Sequence, residues 1–219
     1  WKISQEIPNE VPAEFNSAIL DALNKGQTSI EIVLNEVSAA SRDADKASDA
    51  DYNCKGGLVV SVAKDFADAL KGVELDCVDV NIHTAEAGAE VAALLYAAAK
   101  GKNLSGGIYF DPVGDLASTG KISRSLDCAF DEMYALADFN AKNMKNFGAI
   151  GVDTMPYSLG GASAVQELAL AMATGVKYIR EMLARSMAID EVAPLIRFRM
   201  SLGSNFFMEI AKLRAARIL

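Results

Sequence analysis

Four places in this 219-residue chain carry side chains that could do chemistry. The segment DPVGDLASTG, residues 111–120, holds two carboxylates, Asp111 and Asp115, beside Gly114 and Gly120. Paired carboxylates can serve as acid and base or bind Mg²⁺. Asp before Pro is equally ordinary turn chemistry, and Asp115 suits a helix start. The segment MPYSLGGAS, residues 155–163, offers Tyr157 and Ser158 as hydrogen-bond donors. No base adjoins them, and a serine nucleophile needs one. Gly160-Gly161 can present backbone N–H groups to an anion such as phosphate, or can form a close turn with Ser163 near the helix cap. His83, the only histidine, ends a strand-like segment. A Ser–His pair would have to form across strand ends; an exposed or hydrogen-bonded histidine is the simpler reading. In SLGSN, residues 201–205, Ser204-Asn205 reads as a helix cap.

These residues need elements to position them. Phe15, Ile19 and Leu23, four apart, predict a helix over Pro12–Asn24, stopped by Gly26. SIEIVL, residues 29–34, predicts a strand. Residues 36–52, rich in Ala, Ser and Asp, predict a solvated loop or weak helix, the least ordered part of the chain. Helices are expected over Ser61–Lys71, Ala85–Lys100, Ser125–Asn146, Ala162–Leu183 and from about Asn205 to the end. Strands are expected over Leu75–Ile82, Gly107–Phe110, Ala149–Thr154 and Leu195–Met200. Val165, Leu168, Ala169, Met172, Val176 and Ile179 form the apolar stripe of one helix, and Phe206, Ile210 and Leu213 the buried face of the last.

Five strands alternating with helices predict a mainly parallel α/β sheet in one domain over residues 1–219. A (β/α)8 barrel of the TIM type, incomplete here, is the leading architecture. A doubly wound open sheet is the alternative. No GxGxxG follows a strand, so a Rossmann dinucleotide site has no direct support.

Composition narrows the classes. The net charge is −8 and the basic residues are scattered, which argues against a nucleic-acid partner. Lys212, Arg214 and Arg217 are the one concentration, read as cations near a helix C-terminus or as an anion or partner contact. No apolar run reaches the roughly 18 residues of a membrane span. The chain opens with Trp1 and shows no secretory signal. Cys54, Cys77 and Cys128 are odd in number and widely spaced, which predicts reduced thiols in the cytoplasm, without a disulfide framework or zinc site.

Three segments carry a resemblance. GGIYFDPVGDLASTG, PYSLGGASAVQELALAMATGVKYIREM and SLGSNFFMEIAKLRAAR resemble the methylmalonyl-CoA mutase family in wording and order. The opening WKISQEI, with the helix and GQTSI strand after it, is also similar. The resemblance implies an isomerase that interconverts succinyl-CoA and (R)-methylmalonyl-CoA through radicals formed from adenosylcobalamin. It implies a barrel around the CoA arm and a separate cobalamin-binding domain with a DxHxxG motif.

Within the family the chain looks like the small, or β, subunit. Catalytic members carry a Tyr-His pair before the helix that starts at Gly161-Ala162. Ungapped, that pair falls on Met155 and Pro156, next to Tyr157 and Ser158. No DxHxxG occurs in the chain. The expectation is a barrel subunit with no catalytic, cofactor-binding or metal-binding residues and no cobalamin-binding domain. It would support a large catalytic subunit as a heterodimer; acyl-CoA binding is left open. The alternative is an active acyl-CoA mutase in which His83, or Tyr157 and Ser158, replaces the missing group.

Overall fold

The computed structural model describes residues 1–42 and 56–219. Cys54 and residues 43–52 of the expected loop lie outside them. The elements follow the expected alternation, with shifted edges. Strand β1 is Ser29–Val33, β2 is Asp79–His83, β3 is Gly106–Tyr109, β4 is Phe147–Gly148, β5 is Ile150–Asp153 and β6 is Ile196–Arg199. The predicted strand at Leu75 begins four residues later, because residues 75–78 form a hydrogen-bonded turn. A short strand, β4, precedes the one expected at Ala149, so six strands replace five among the described residues.

The strands lie side by side in chain order, and every pairing is parallel. β1 to β4 form one sheet, and β5 pairs with β6. The Gly151 N–H donates to Phe110 O (3.2 Å), which ties the second pair to the first sheet. A side chain at Gly151 would start 2.6 Å from the Tyr109 Cα, so only glycine permits this approach. A doubly wound sheet reverses its strand order at a switch point. The described strands show no reversal.

Helices α1 (Pro12–Asn24), α3 (Ala63–Ala69), α4 (Gly88–Ala99) and α6 (Leu126–Asn143) cover one face of the sheet. Their helical spacing sets Phe15 and Ile19, then Phe66 and Ala69, then Phe130, Met133 and Ala137 against Ile30, Ile32, Val80, Ile82 and Ile108. A short α2 (Glu36–Ala39) is capped by Asn35, whose side chain accepts from Val37 N at 2.9 Å. No helix among the described residues is long and apolar enough to cross a membrane.

Two expected loops are helical. Residues Pro112–Thr119 form α5 and Met155–Leu159 form α7. Pro supplies a preset φ at the start of each. Helix α8 (Ala164–Ala184) begins two residues after the expected Ala162, because Ser163 is its cap: Ser163 and Gln166 bond each other across the first turn. Its stripe is rotated from the expected one: Val165 and Ala169 face solvent, and Leu168, Ala171, Tyr178 and Met182 are buried. A four-residue α9 (Ile189–Val192) then leads to β6.

The last helix, α10 (Phe206–Ala216), departs furthest from expectation. Its N-cap is Asn205, as read, and accepts from Met208 N at 3.2 Å. Phe206, Ile210 and Leu213 are exposed, and the buried residue is Lys212. The apolar face of α10 lies beside β6, an edge strand in this sheet.

Candidate functional site

Alternation along the strands sorts side chains to two faces. Ile30 and Ile32, Val80 and Ile82, Ile108 and Val152 point into the helix-covered core. Their neighbours Glu31, His83, Tyr109, Asp153 and Arg199 point the other way, and the register brings them together. His83 pairs with Val33 and Tyr109, and Asp153 with Arg199. The result is a polar row at the C-terminal ends of the strands.

The contacts within this row are specific. The His83 Nε2 makes a very close contact with Glu31 Oε1. The Tyr109 ring stacks on the imidazole, 4.8 Å between centroids and 17° from parallel. The Arg199 Nη1 lies 3.4 Å from His83 Nδ1 and 3.2 Å from Asp153 Oδ2. Arg199 Nη1 is almost equally close to His83 Nε2, at 3.5 Å, so it lies against the ring; the Glu31 carboxylate can only accept, so the His83–Glu31 hydrogen bond takes its proton from Nε2. His83 is thus the hydrogen-bonded histidine of the simpler reading. Ser158 is not among its contacts.

Asp111 organises the floor beneath the row. It is 4% exposed and caps α5, accepting from Gly114 N at 2.9 Å. It also accepts from Asp153 N at 2.7 Å and, very closely, from the Tyr178 hydroxyl. Tyr178 in turn accepts from Val113 N at 3.0 Å. One carboxylate therefore joins β3, β5, α5 and α8. Burial pushes its carboxyl up, against the pull of those three donors. A side chain at Gly114 would meet Asp111 Oδ2 at 2.4 Å, which explains the glycine in DPVG.

Asp111 and Asp115 do not form an acid–base pair: the first is a fully bonded cap. No described group of three or more His, Cys, Asp or Glu side chains is arranged to hold a metal ion. Asp115, half-buried, has its carboxyl pushed up to about 7 by burial and then by the charges of Asp111, Glu86 and Asp153.

Two cavities open at these strand ends. One of about 200 Å³ is lined by His83, Tyr109, Asp111, Asp115, Asp153, Met155 and Pro156. A second, of about 610 Å³, is lined by Glu36, Arg42, Glu86, Asp115, Lys121 and their neighbours. Met155 and Pro156, the degenerate pair, thus stand in the wall of the smaller cavity. Tyr157 and Ser158 do not line it; Tyr157 turns to a separate surface depression with Gly160 and Gly161. The glycine turn does not offer its amides to an anion. Gly160 N donates to Pro156 O (3.1 Å), Gly161 N to Ser158 O and Ala162 N to Tyr157 O (3.0 Å each).

The predicted basic cluster separates. Lys212 is 4% exposed, with Nζ 2.7 Å from Glu167 Oε2, 2.6 Å from Glu209 Oε2 and 2.6 Å from Ser201 O. Neither the dipole reading nor the anion reading applies to it, because the contact is an internal ion pair. Arg214 and Arg217 are exposed near the helix end, where the dipole favours cations. Cys77 and Cys128 are exposed free thiols. Sequence reasoning passed over Glu31, Tyr109, Asp153 and Arg199. The available signal was period two for Glu31, Tyr109 and Asp153, each next to a core position of its strand; Arg199 follows the exposed Phe198 and gave no such signal.

A family model described as methylmalonyl-CoA mutase matches residues 1–219, the whole chain. The chain belongs to the methylmalonyl-CoA mutase family. Among its relatives in the family, a methylmalonyl-CoA mutase small subunit from Streptomyces virginiae is 32% identical over 99% of this chain and 32% of its own length. A methylmalonyl-CoA mutase large subunit from Propionibacterium freudenreichii subsp. shermanii is 26% identical over 100% of this chain and 31% of its own. The mitochondrial methylmalonyl-CoA mutase of Homo sapiens is 25% identical over 99% of this chain and 30% of its own. The chain spans about a third of the length of the curated relatives it matches. The family is one of isomerases, and its members include proteins named as small and large subunits.

Proposed function

We propose that this chain is the barrel portion of a small-subunit-type methylmalonyl-CoA mutase, a scaffold that supports a catalytic large subunit. The observation that carries the reading is the wall of the smaller cavity. Where catalytic members would place a Tyr-His pair, this cavity presents Met155 and Pro156. A thioether and a pyrrolidine donate no hydrogen bond, so neither can polarise a thioester carbonyl. The likeness to a protein named a small subunit, over 99% of this chain, points the same way. The parallel strands in unbroken chain order support an arc of a (β/α)8 barrel.

The adenosylcobalamin of the family enzyme finds no fitting ligand here. The only histidine, His83, is held by Glu31 on one ring nitrogen, has Arg199 against its ring and is stacked on Tyr109. No step of the rearrangement is assigned to it. One observation favours the second reading, an active acyl-CoA mutase: His83 and Tyr109 line the same cavity as Met155 and Pro156.

The deciding experiment assays the full-length protein with adenosylcobalamin and methylmalonyl-CoA, alone and with a candidate large subunit. Scaffold function predicts no turnover alone and turnover in the pair. Turnover by this protein alone overturns the scaffold reading in favour of the active mutase.

A further inference from the structure

Between β2 and β6 stand β3 and β5, joined through the Gly151 N–H and Phe110 O. Neighbouring strands are spaced by about 4.8 Å, so in a flat sheet β2 and β6 would lie about 14 Å apart. Strand side chains stand nearly perpendicular to their sheet, and two of them would not meet over that span. Yet Arg199 Nη1 on β6 lies 3.4 Å from His83 Nδ1 and 3.5 Å from Nε2 on β2. The strands therefore curl, and the arginine crosses their hollow side, the face turned away from α1, α3, α4 and α6.

The crossing is anchored at both ends. Glu31 of β1 holds the His83 imidazole, Tyr109 of β3 stacks on it, and Asp153 of β5 holds Arg199 at 3.2 Å. A second arginine lies alongside. Alternation puts Arg197 on the same face as Arg199, and Gly148 of β4 makes room for it: a Cβ there would start 2.7 Å from Arg197 Cγ. Arg197 Nη1 donates to Pro194 O at 2.6 Å. Layers of bulky branched side chains fill an ordinary barrel. Here Gly107, in register with Gly148, and Gly151, in register with Arg197, leave the hollow side bare, and the two arginines of β6 occupy it.

We propose that Arg197 and Arg199 are specificity-determining residues: they form a strut across the hollow side that bars a chain-like ligand lying along the strands, an acyl-CoA above all. The inference rests on the barrel-scaffold reading and deepens it, since it says what keeps the scaffold free of substrate. A site rejects a ligand when admitting it means a clash or a stranded charge. An acyl-CoA running along the strands would have to push Arg199 off His83 and take from Asp153 its cation. The 200 Å³ cavity at the strand ends stays open, with room for water or a small molecule.

The test titrates the full-length protein, without a large subunit, with methylmalonyl-CoA by calorimetry. Wild type is compared with Arg197→Ser/Arg199→Ser, which removes the strut, and with Arg197→Lys/Arg199→Lys, which keeps its bulk and charge. The expected result is no saturable binding up to millimolar ligand by wild type or the lysine variant, and saturable binding by the serine variant. Saturable binding by wild type overturns the proposal. So does a folded serine variant that binds no better than wild type. If the double serine variant does not fold, Arg199→Ser alone takes its place. Failure of the strut and failure of the scaffold reading are distinguishable. Binding without turnover by wild type sinks the strut alone. A wild type that neither binds acyl-CoA nor supports turnover by a large subunit sinks the scaffold alone.

Discussion

Two clusters of opposite charge in this molecule use the same residue types to different ends. At the junction of α8 and α10, Glu167 and Lys212 are 3% and 4% exposed. Glu167 also accepts from Ser201 N at 2.9 Å and from the Thr154 hydroxyl, and Lys212 reaches Glu209 and Ser201 O. At the strand ends, Glu31, His83, Asp153 and Arg199 stay partly open to solvent beside a cavity. Two enclosed charges must find every partner inside the protein, or the ion pair costs more than it returns. Charges left at a cavity mouth keep water as a partner and can exchange it for a ligand. Burial, not residue type, separates the structural cluster from the available one.

Removing Lys212 tests this contrast most severely. Lys212→Met leaves the Glu167 carboxylate buried and unpaired, and should destabilise the fold by about 3–5 kcal/mol in denaturant unfolding. Pairing it with Glu167→Met should restore much of that loss, because an apolar pair of similar volume carries no stranded charge. A single variant as stable as wild type would mean that the junction is solvated and the contrast false.

Tyr178→Phe probes the floor that joins the two regions. It takes one donor from Asp111 and strands the Val113 amide, a cost of about 1–3 kcal/mol, readable as a lower Tm. The variant should leave the polar row in place, which its imidazole NMR signals can report.

Acid sharpens the comparison further. Burial acts to raise the Glu167 carboxyl, but Lys212, Thr154 and the Ser201 amide outweigh it and hold the group below its usual range. The native state then binds fewer protons than the unfolded chain. The stability from this group is complete above the unfolded value, about 4.3, and disappears as pH falls through the lower native one. Wild type should thus lose its advantage over Glu167→Gln only at strongly acidic pH; an advantage already lost at pH 6 contradicts the assignment.

The smallest effect is expected at the open cluster. Arg199 is about one-third exposed (35%), and Arg199→Ala should cost under about 1 kcal/mol, the range of surface pairs. A loss as large as that of Lys212→Met would show that the polar row is structural after all.

Most elements were legible from local pattern. The spacing of Phe15 and Ile19, the alternation in SIEIV, and the caps at Ser125, Ser163 and Asn205 act within a few residues of themselves. Family membership was legible too, in the wording of residues 106–120, 156–182 and 201–217. The candidate site was legible only in part. His83, Asp111, Asp115, Met155 and Pro156 drew attention, but the meaning of each depended on its neighbours. Asp111 could have been a base; its three donors, from β5, α5 and α8, make it a cap and tether.

The errors share one cause. Phe206, Ile210 and Leu213 have the right period for a buried face, yet α10 turns Lys212 inward toward Glu167. Periodicity says which residues share a face, not which face meets the core. Helix and strand identities followed from short-range chemistry that the chain carries in every window. The pairing of Glu167 with Lys212, 45 positions away, and of Arg199 with His83, 116 away, did not. Such contacts form only after the parallel strands fall into register, because burial and Coulomb attraction depend on distances that the tertiary structure alone sets.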